Sequence, residues 1–268
     1  MTTPRPTCLP TSLDIEVTHM SEQFMRSAAL LGDSAMARLQ SARVAVFGVG
    51  GVGGYVCEAL VRSGVGALDV FDKDDVSITN LNRQIIALHS TVGQDKVSVL
   101  AARMRDINPD VVIREHKMFY LPENADEIDL TQYDFVVDAV DTVAAKLELA
   151  VRCERLNVPL IAAMGAGNKL DPSKLQIADV YKTSVCPLAR AMRTTLRKKG
   201  VKHLTVAYST EEPVRPAGAR LAAEAIDNED QSLAGSRRKD IPGSAAFVPS
   251  AMGLLIASHV VRKIAFGQ

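Results

Sequence analysis

Residues 43–71, RVAVFGVGGVGGYVCEALVRSGVGALDVF, carry the pattern that decides the fold. Val44 to Phe47 is a short apolar run of the kind that makes a fully buried parallel strand. Gly48, Gly50 and Gly53 then spell G-x-G-x-x-G, with Gly51 inside the turn. A helical pattern from Tyr55 to Arg62 stops at Ser63-Gly64, and a second apolar run, Ala67 to Phe71, ends on Asp72. That is strand, glycine turn, helix, strand and acid in one βαβ unit. The glycines let backbone approach a phosphate, whose charge meets the free N–H groups at the helix start. Asp72 lies about 20 residues past the last glycine, where a carboxylate can bond ribose hydroxyls. A tight packing turn between strand and helix needs glycines too, but the full βαβ context favours a nucleotide. Which nucleotide, this stretch does not specify.

Downstream, Asp74 to Ile86 lacks a clean period but is dense in groups that bind phosphate, sugar or metal: Asp74, Asp75, Asn80, Asn82, Arg83 and Gln84. Gln94 to Ile107 has a helical period, with Lys96 in its first turn. A cation is disfavoured at a helix N-terminus, so Lys96 reads either as exposed or as paired with an anion. Val111 to Met118 alternates like a strand, and Pro122 to Leu130 reads as a short helix. Phe135 to Asp141 reads as a buried strand delivering Asp138 and Asp141 at its carboxyl end, which puts Asp141 on the same rim as Asp72. Asp141 reads equally as an N-cap for Val143 to Leu156 or as a metal or nucleotide ligand. Pro159 to Ala163 is the next strand. Alternating strands and helices predict an α/β, Rossmann-like, doubly wound and mostly parallel sheet, with N-terminal helices and a C-terminal extension.

Upstream, residues 1–20 read as a disordered lead-in without a secretory h-region. Ser21 to Leu39 is helical in pattern, with Gly32 as a break and Arg26 near its start. The chain of 268 residues is 47% hydrophobic, enough for a substantial core. Its 31 basic and 31 acidic residues cancel, so nucleic-acid contact would need local clustering. Four dispersed cysteines form no C-x-x-C pair, which argues against a cysteine zinc knuckle and a disulfide framework. The apolar run Ala251 to Val261 is too short to span a bilayer. These features predict a cytoplasmic protein.

Taken together, VAVFGVGGVGGYVCEALVRSGVG, DKDDVSITNLNRQ, VGQDKV and VVDAVDT resemble the adenylating core of the E1-like (ubiquitin-activating, ThiF/MoeB-type) superfamily. The resemblance implies that Asp72 binds ribose and that Asn80, Arg83 and Lys96 bind the triphosphate of ATP. It places Gly48, Gly50, Gly51, Gly53 and Asp74 in the nucleotide site and Mg²⁺ on Asp141. Arg26 would reach the γ-phosphate of a partner subunit's ATP, which implies a homodimer. Within the superfamily, MGAGNKLDPSKLQIADVYKTSVCPLARAMR and GSAAFVPSAMGLLIASHVVRK resemble the branch that dehydrates threonylcarbamoyladenosine in tRNA. The reaction implied is adenylation of that nucleoside's carboxylate, attack by its own carbamoyl group, and ring closure with loss of water. Relatives that adenylate ubiquitin-like sulfur-carrier proteins usually carry two C-x-x-C pairs, absent here. A sulfur-carrier partner and an NAD-binding oxidoreductase are the rival readings.

No acid lies between Asp179 and Glu211, and residues 182–203 form a basic segment. Pro187 to Lys199 reads as a helix with Leu188, Met192 and Leu196 inward, and Arg190, Arg193 and Arg197 on one basic side. With Lys198, these are the candidate tRNA contacts. Cys186, just before that helix, reads as a small buried cysteine or as an E1-like thioester nucleophile. Residues 215–240 read as a flexible insertion within a single adenylation domain, 21–268. Pro249 to Lys263 reads as a closing apolar helix.

Overall fold

In the computed structural model, which describes residues 22–214 and 242–267, each strand of the βαβ pattern pairs in parallel with its neighbour. The expected lead-in and insertion lie outside the described residues. Strands β1 (Arg43–Phe47), β2 (Ala67–Phe71), β3 (Val112–His116), β4 (Phe135–Asp138), β5 (Leu160–Ala163) and β7 (Thr205–Ser209) form the parallel part. At the far edge, β6 (Leu175–Asp179) pairs antiparallel with β7 (Thr205–Ser209), giving the order β3-β2-β1-β4-β5-β7-β6. This is the doubly wound, mostly parallel sheet that the alternation of elements predicts. The antiparallel edge was not legible, because the half-buried β6 has no strong alternation.

The helices are α1 (Met25–Leu31), α2 (Asp33–Ser41), α3 (Gly53–Arg62), α4 (Lys96–Ile107), α5 (Val143–Leu156), α6 (Pro187–Lys198) and α7 (Phe247–Phe266). Strand pleating sends Val44 and Val46 to one face, under α2, α3, α4 and α7. Ala45 and Phe47 go to the other, where Leu149 and Cys153 of α5 cover them. Helix α6 extends that second layer through Met192 and Leu196 over Val206 of β7. Gly32 separates α1 from α2 at φ +87°, as the sequence implied. In place of the helix expected over 122–130, the chain forms two short 3₁₀ turns, Ala125–Glu127 and Leu130–Gln132.

The C-terminal helix is longer than its apolar run promised. At 20 residues, α7 is long and apolar enough to cross a membrane by length and composition. Its buried face, with Val248, Met252, Ile256, Ala257 and Val260, instead joins the core against α3 and α2. Gly253 permits that approach: a Cβ there would lie 2.5 Å from the Val52 carbonyl oxygen.

Gly53 is a tighter case. A Cβ at Gly53 would sit 1.8 Å from the Gly48 carbonyl oxygen, with backbone on both sides of the clash. Gly53→Ala is therefore expected to cost about 3 kcal/mol, at the upper end for overpacking. Gly50→Ala, whose Cβ would make ordinary 3.6 Å contact with the Gln84 side chain, should cost under about 1 kcal/mol. Urea denaturation of both variants checks the contrast. Equal midpoints would show that helix and turn are not packed this closely.

Candidate active site

The order of the strands reverses between β1 and β4, and a crevice opens over their carboxyl ends at that point. The glycine turn fills the gap. Gly48 has φ +83°, and a Cβ on it would lie 2.7 Å from the Ala139 carbonyl oxygen, so this position requires glycine twice over. The turn is also held by Asp72: one carboxylate oxygen accepts the Val49 N–H (2.9 Å) and the other the Asp74 N–H (3.0 Å). Each oxygen keeps lone pairs for a further donor.

A cleft of about 1020 Å³ stands over this turn. Gly48, Gly50, Gly51, Asp72 and Asp74 line it on one side of the turn. Asn80, Arg83, Lys96 and Asp141 join them from other elements, so the expected site residues converge. Gly53 does not line the cleft and lies buried beneath it. Arg26 stands exposed on α1, away from the cleft of its own chain.

Local folding explains the convergence of Arg83 and Lys96. The chain leaves β2, runs out, and returns to α4 through a pinched neck. Val76 N–H bonds the Gln94 carbonyl (2.8 Å), Gly93 N–H the Val76 carbonyl (2.8 Å) and Lys96 N–H the Asp74 carbonyl (3.1 Å). Lys117 bridges Asp75 and Asp95 on the outside of that neck. Within the loop, the Asn80 side-chain oxygen accepts the Ser77 N–H (3.1 Å) and starts a 3₁₀ turn.

The two cations differ in their partners. Lys96 is 6% exposed, and its Nζ lies 3.1 Å from the Asp74 carboxylate. Part of the anion anticipated for Lys96 is therefore this acid. Among the described residues, Arg83 donates only to neutral oxygens, those of the Thr79 carbonyl (3.0 Å) and the Asn82 side chain (2.9 Å). Burial pulls its guanidinium below the ordinary value. A partly desolvated cation without a carboxylate partner among the described residues can donate charge-assisted hydrogen bonds to an incoming anion. Gln84 beside it is buried, and its side-chain oxygen has no partner among the described residues.

Of Asp138, which ends β4, and Asp141, which follows it, the latter lines the cleft. Asp138 is fully buried, with Oδ1 accepting from Lys146 Nζ (2.9 Å), which also donates to the Ala163 carbonyl (2.7 Å). Burial holds the Asp138 carboxyl above its usual range, against the pull of Lys146. The strand ends at Asp138, three residues short of the expected Asp141, and the Asp138 side chain is buried in the core. Asp141 is exposed and takes one long bond (3.2 Å) from the Thr142 hydroxyl. Thr142 occupies the N-cap position of α5, which leaves Asp141 out of the capping role.

Other lining groups escaped the sequence reading. Met118, Phe119 and Tyr120 follow β3 and wall the cleft near Asp72. Lys73 Nζ sits 4.7 Å from the Phe119 ring centroid. Pro242, Gly243 and Ser244 form a wall on the other side. An aromatic run at a strand end was visible in the sequence; the return of residues 242–244 to the cleft was not.

The basic helix is only partly free. Arg190, Arg197 and Lys198 are exposed on α6. Arg193, expected on the same basic side, turns inward and donates to the carbonyls of Val180 (3.2 Å) and Thr183 (2.9 Å). Arg197 stacks over the Tyr181 ring at 5.5 Å. Cys186 is buried at the start of α6 in the cluster with Ala189 and Met192, and does not line the cleft. That packing agrees with the small buried cysteine and denies the thiol the rim position its nucleophilic reading needs.

Comparison with known proteins extends these observations. The chain is 44% identical over 246 residues to the tRNA threonylcarbamoyladenosine dehydratase of Bacillus subtilis (strain 168), covering 91% of this chain and 95% of the relative. Crystal structures of the E. coli tRNA N6-threonylcarbamoyladenosine dehydratase in complex with ATP and with AMP each superpose with a TM-score of 0.78 at 34% identity. Each match covers 90% of this chain and 93% of the other. Residues 21–266, which include the glycine turn, the pinched loop and the rim acid, match the ThiF family, and the chain belongs to it.

Proposed function

We propose that this protein uses ATP to adenylate the free carboxylate of threonylcarbamoyladenosine in tRNA, and that ring closure then removes one water. The observation that carries the proposal is that Arg83, without an acid partner among the described residues, lines the same cleft as Lys96 over the glycine turn. A dinucleotide oxidoreductase needs neither cation, whereas a leaving pyrophosphate needs both. The names and bound nucleotides of the similar proteins point the same way.

In this reading the backbone of Gly48 to Gly51 approaches the phosphates, and the start of α3 faces their charge. Asp72 takes the ribose, with Met118 to Tyr120 walling the nucleoside end. Arg83 and Lys96 stabilise charge that builds on the departing phosphates. Positioning does the rest, since an intramolecular carbamoyl nucleophile gains orders of magnitude from proximity. Asp141 fits Mg²⁺: it is an exposed oxygen donor with open coordination, and Mg²⁺ is held by one or two carboxylates with phosphates and water. The ion would supply charge neutralisation across phosphate oxygens. Arg26, exposed on α1, is free to serve a second copy's cleft in a homodimer.

The test is mass analysis of anticodon-loop nucleosides after incubating the protein, ATP and threonylcarbamoylated tRNA. Loss of one water with equimolar AMP is expected. An unchanged nucleoside overturns the proposal, and an acyl-adenylate on a Gly-Gly carrier protein without tRNA selects the sulfur-carrier reading.

For the tRNA face, Arg190→Ala and Lys198→Ala should each weaken binding and reduce the log–log salt slope by about 1. Arg193→Ala should lower stability and leave the slope unchanged, because its guanidinium is spent on Val180 and Thr183. Filter binding across a salt series separates them. Identical slopes for all three would remove α6 from the tRNA footprint.

A further inference from the structure

Asn168, just after β5, stands in the left-handed region at φ +56°, a conformation asparagine tolerates better than most residues. Its backbone N–H donates to the Gly243 carbonyl (2.7 Å), and its side-chain oxygen accepts the Gly243 N–H (2.7 Å). Its own carbonyl accepts the Val214 N–H (2.8 Å). The side chain and backbone of one residue thus tie together segments far apart in the chain. The bed beneath is cut to fit: a Cβ on Gly167 would lie 2.9 Å from Cβ of Pro242. Across the cleft, Asn82 Nδ2 donates to the Ser244 carbonyl (2.9 Å), fastening the other end. Residues 242–244 therefore cross from the loop after β5 to the loop that carries Arg83.

The position of this crossing gives it meaning. Asp72 and the end of β2 mark the nucleoside side of the switch point, and the glycine turn marks the phosphates. The loop after β5 lies on the opposite side, beyond the phosphates. An acyl group joined to the α-phosphate has to occupy that side.

We propose that Asn168 is a positioning residue for the acyl half of the cleft. By clasping Gly243 in the left-handed turn, it sets the wall of residues 242–244 against which the substrate carboxylate is presented. This rests on the adenylation reading above. Asn168 touches no reacting atom, so its effect falls on substrate placement and not on nucleotide binding.

The test uses three full-length variants. Asn168→Gly keeps the left-handed turn and removes the acceptor; Asn168→Asp keeps both; Gly167→Ala pushes on Pro242 from below. For Asn168→Gly and Gly167→Ala, kcat/KM for threonylcarbamoylated tRNA should fall about a hundredfold, the scale of a 1 Å misplacement. The thermal shift induced by ATP with Mg²⁺ should match wild type in both, and Asn168→Asp should recover most of the lost rate. A parallel loss of the ATP shift, or Asn168→Asp as impaired as Asn168→Gly, overturns the inference. Full activity of Asn168→Gly also overturns it, while leaving the adenylation reading intact. A wild-type protein that binds ATP but never dehydrates the tRNA removes that reading and this inference with it.

Discussion

Lys96→Ala should reduce ATP-dependent turnover by about 10²–10³-fold, the usual loss when one preorganised charge donor is removed from a transition state. The size follows from where the ammonium sits. It is buried at the start of α4, held by Asp74 at 3.1 Å, and lines the same cleft as Arg83. A buried cation is stronger at short range than an exposed one, because less water screens it. Alanine removes that charge without disturbing the pinched neck, whose bonds are made by backbone. Melting temperature should therefore move little while AMP formation collapses. Asp74→Asn separates positioning from chemistry: it keeps the ammonium but loosens it, so its loss should be smaller. Turnover of Lys96→Ala within tenfold of wild type, measured as AMP released, would show that Lys96 meets only Asp74.

The largest effect on stability should come from Lys146→Met. Lys146 and Asp138 are both essentially excluded from water, and Asp138 Oδ2 already lacks a partner among the described residues. Methionine preserves much of the stem but leaves a buried carboxylate alone, a change that costs about 3–5 kcal/mol. The cost depends on pH with a definite sign. A carboxyl whose folded pKa is raised holds its proton better in the folded state. Stability is then greatest below the ordinary carboxyl value of 3.8 and declines as pH rises through it toward the folded value. Removing Lys146 takes away the attraction that opposes this rise, so the gap from wild type should widen from pH 4 to pH 8. Urea denaturation at both pH values reads the gap. A gap that is constant with pH, or under about 1 kcal/mol at pH 8, would mean that Asp138 is not alone in the variant. Because Asp138 also accepts the Val140 N–H (3.2 Å), a loosened β4–α5 turn should weaken the placement of Asp141 as well.

These two lysines show how differently the sequence exposes its contents. Lys96 was conspicuous, since a cation in a first helical turn runs against the macrodipole and reads as either exposed or paired with an anion. Lys146 was silent. Its partner is eight residues back, at a strand end, and its second acceptor is on β5. Asp138 and Asp141 posed the same difficulty in one motif. Three positions apart, they are chemically equal, and only the point where β4 stops decides which one enters the core. Arg193 and Arg197 share a helical face with Arg190, yet Arg193 is drawn inward by carbonyls the helix itself does not contain.

By itself the sequence determined the βαβ core, the glycine turn and the parallel sheet. These depend on local rules: which residues tolerate positive φ, which bury well in a pleated strand, and where a helix period begins. It also determined which side chains the pinched loop would carry. Only the tertiary structure decided which acid faces the cleft, which arginines stay free, and that residues 242–244 close one wall of the site on Asn168. Those outcomes are set by partners distant in the chain, whose hydrogen bonds and desolvation outweigh local preference once the layers pack.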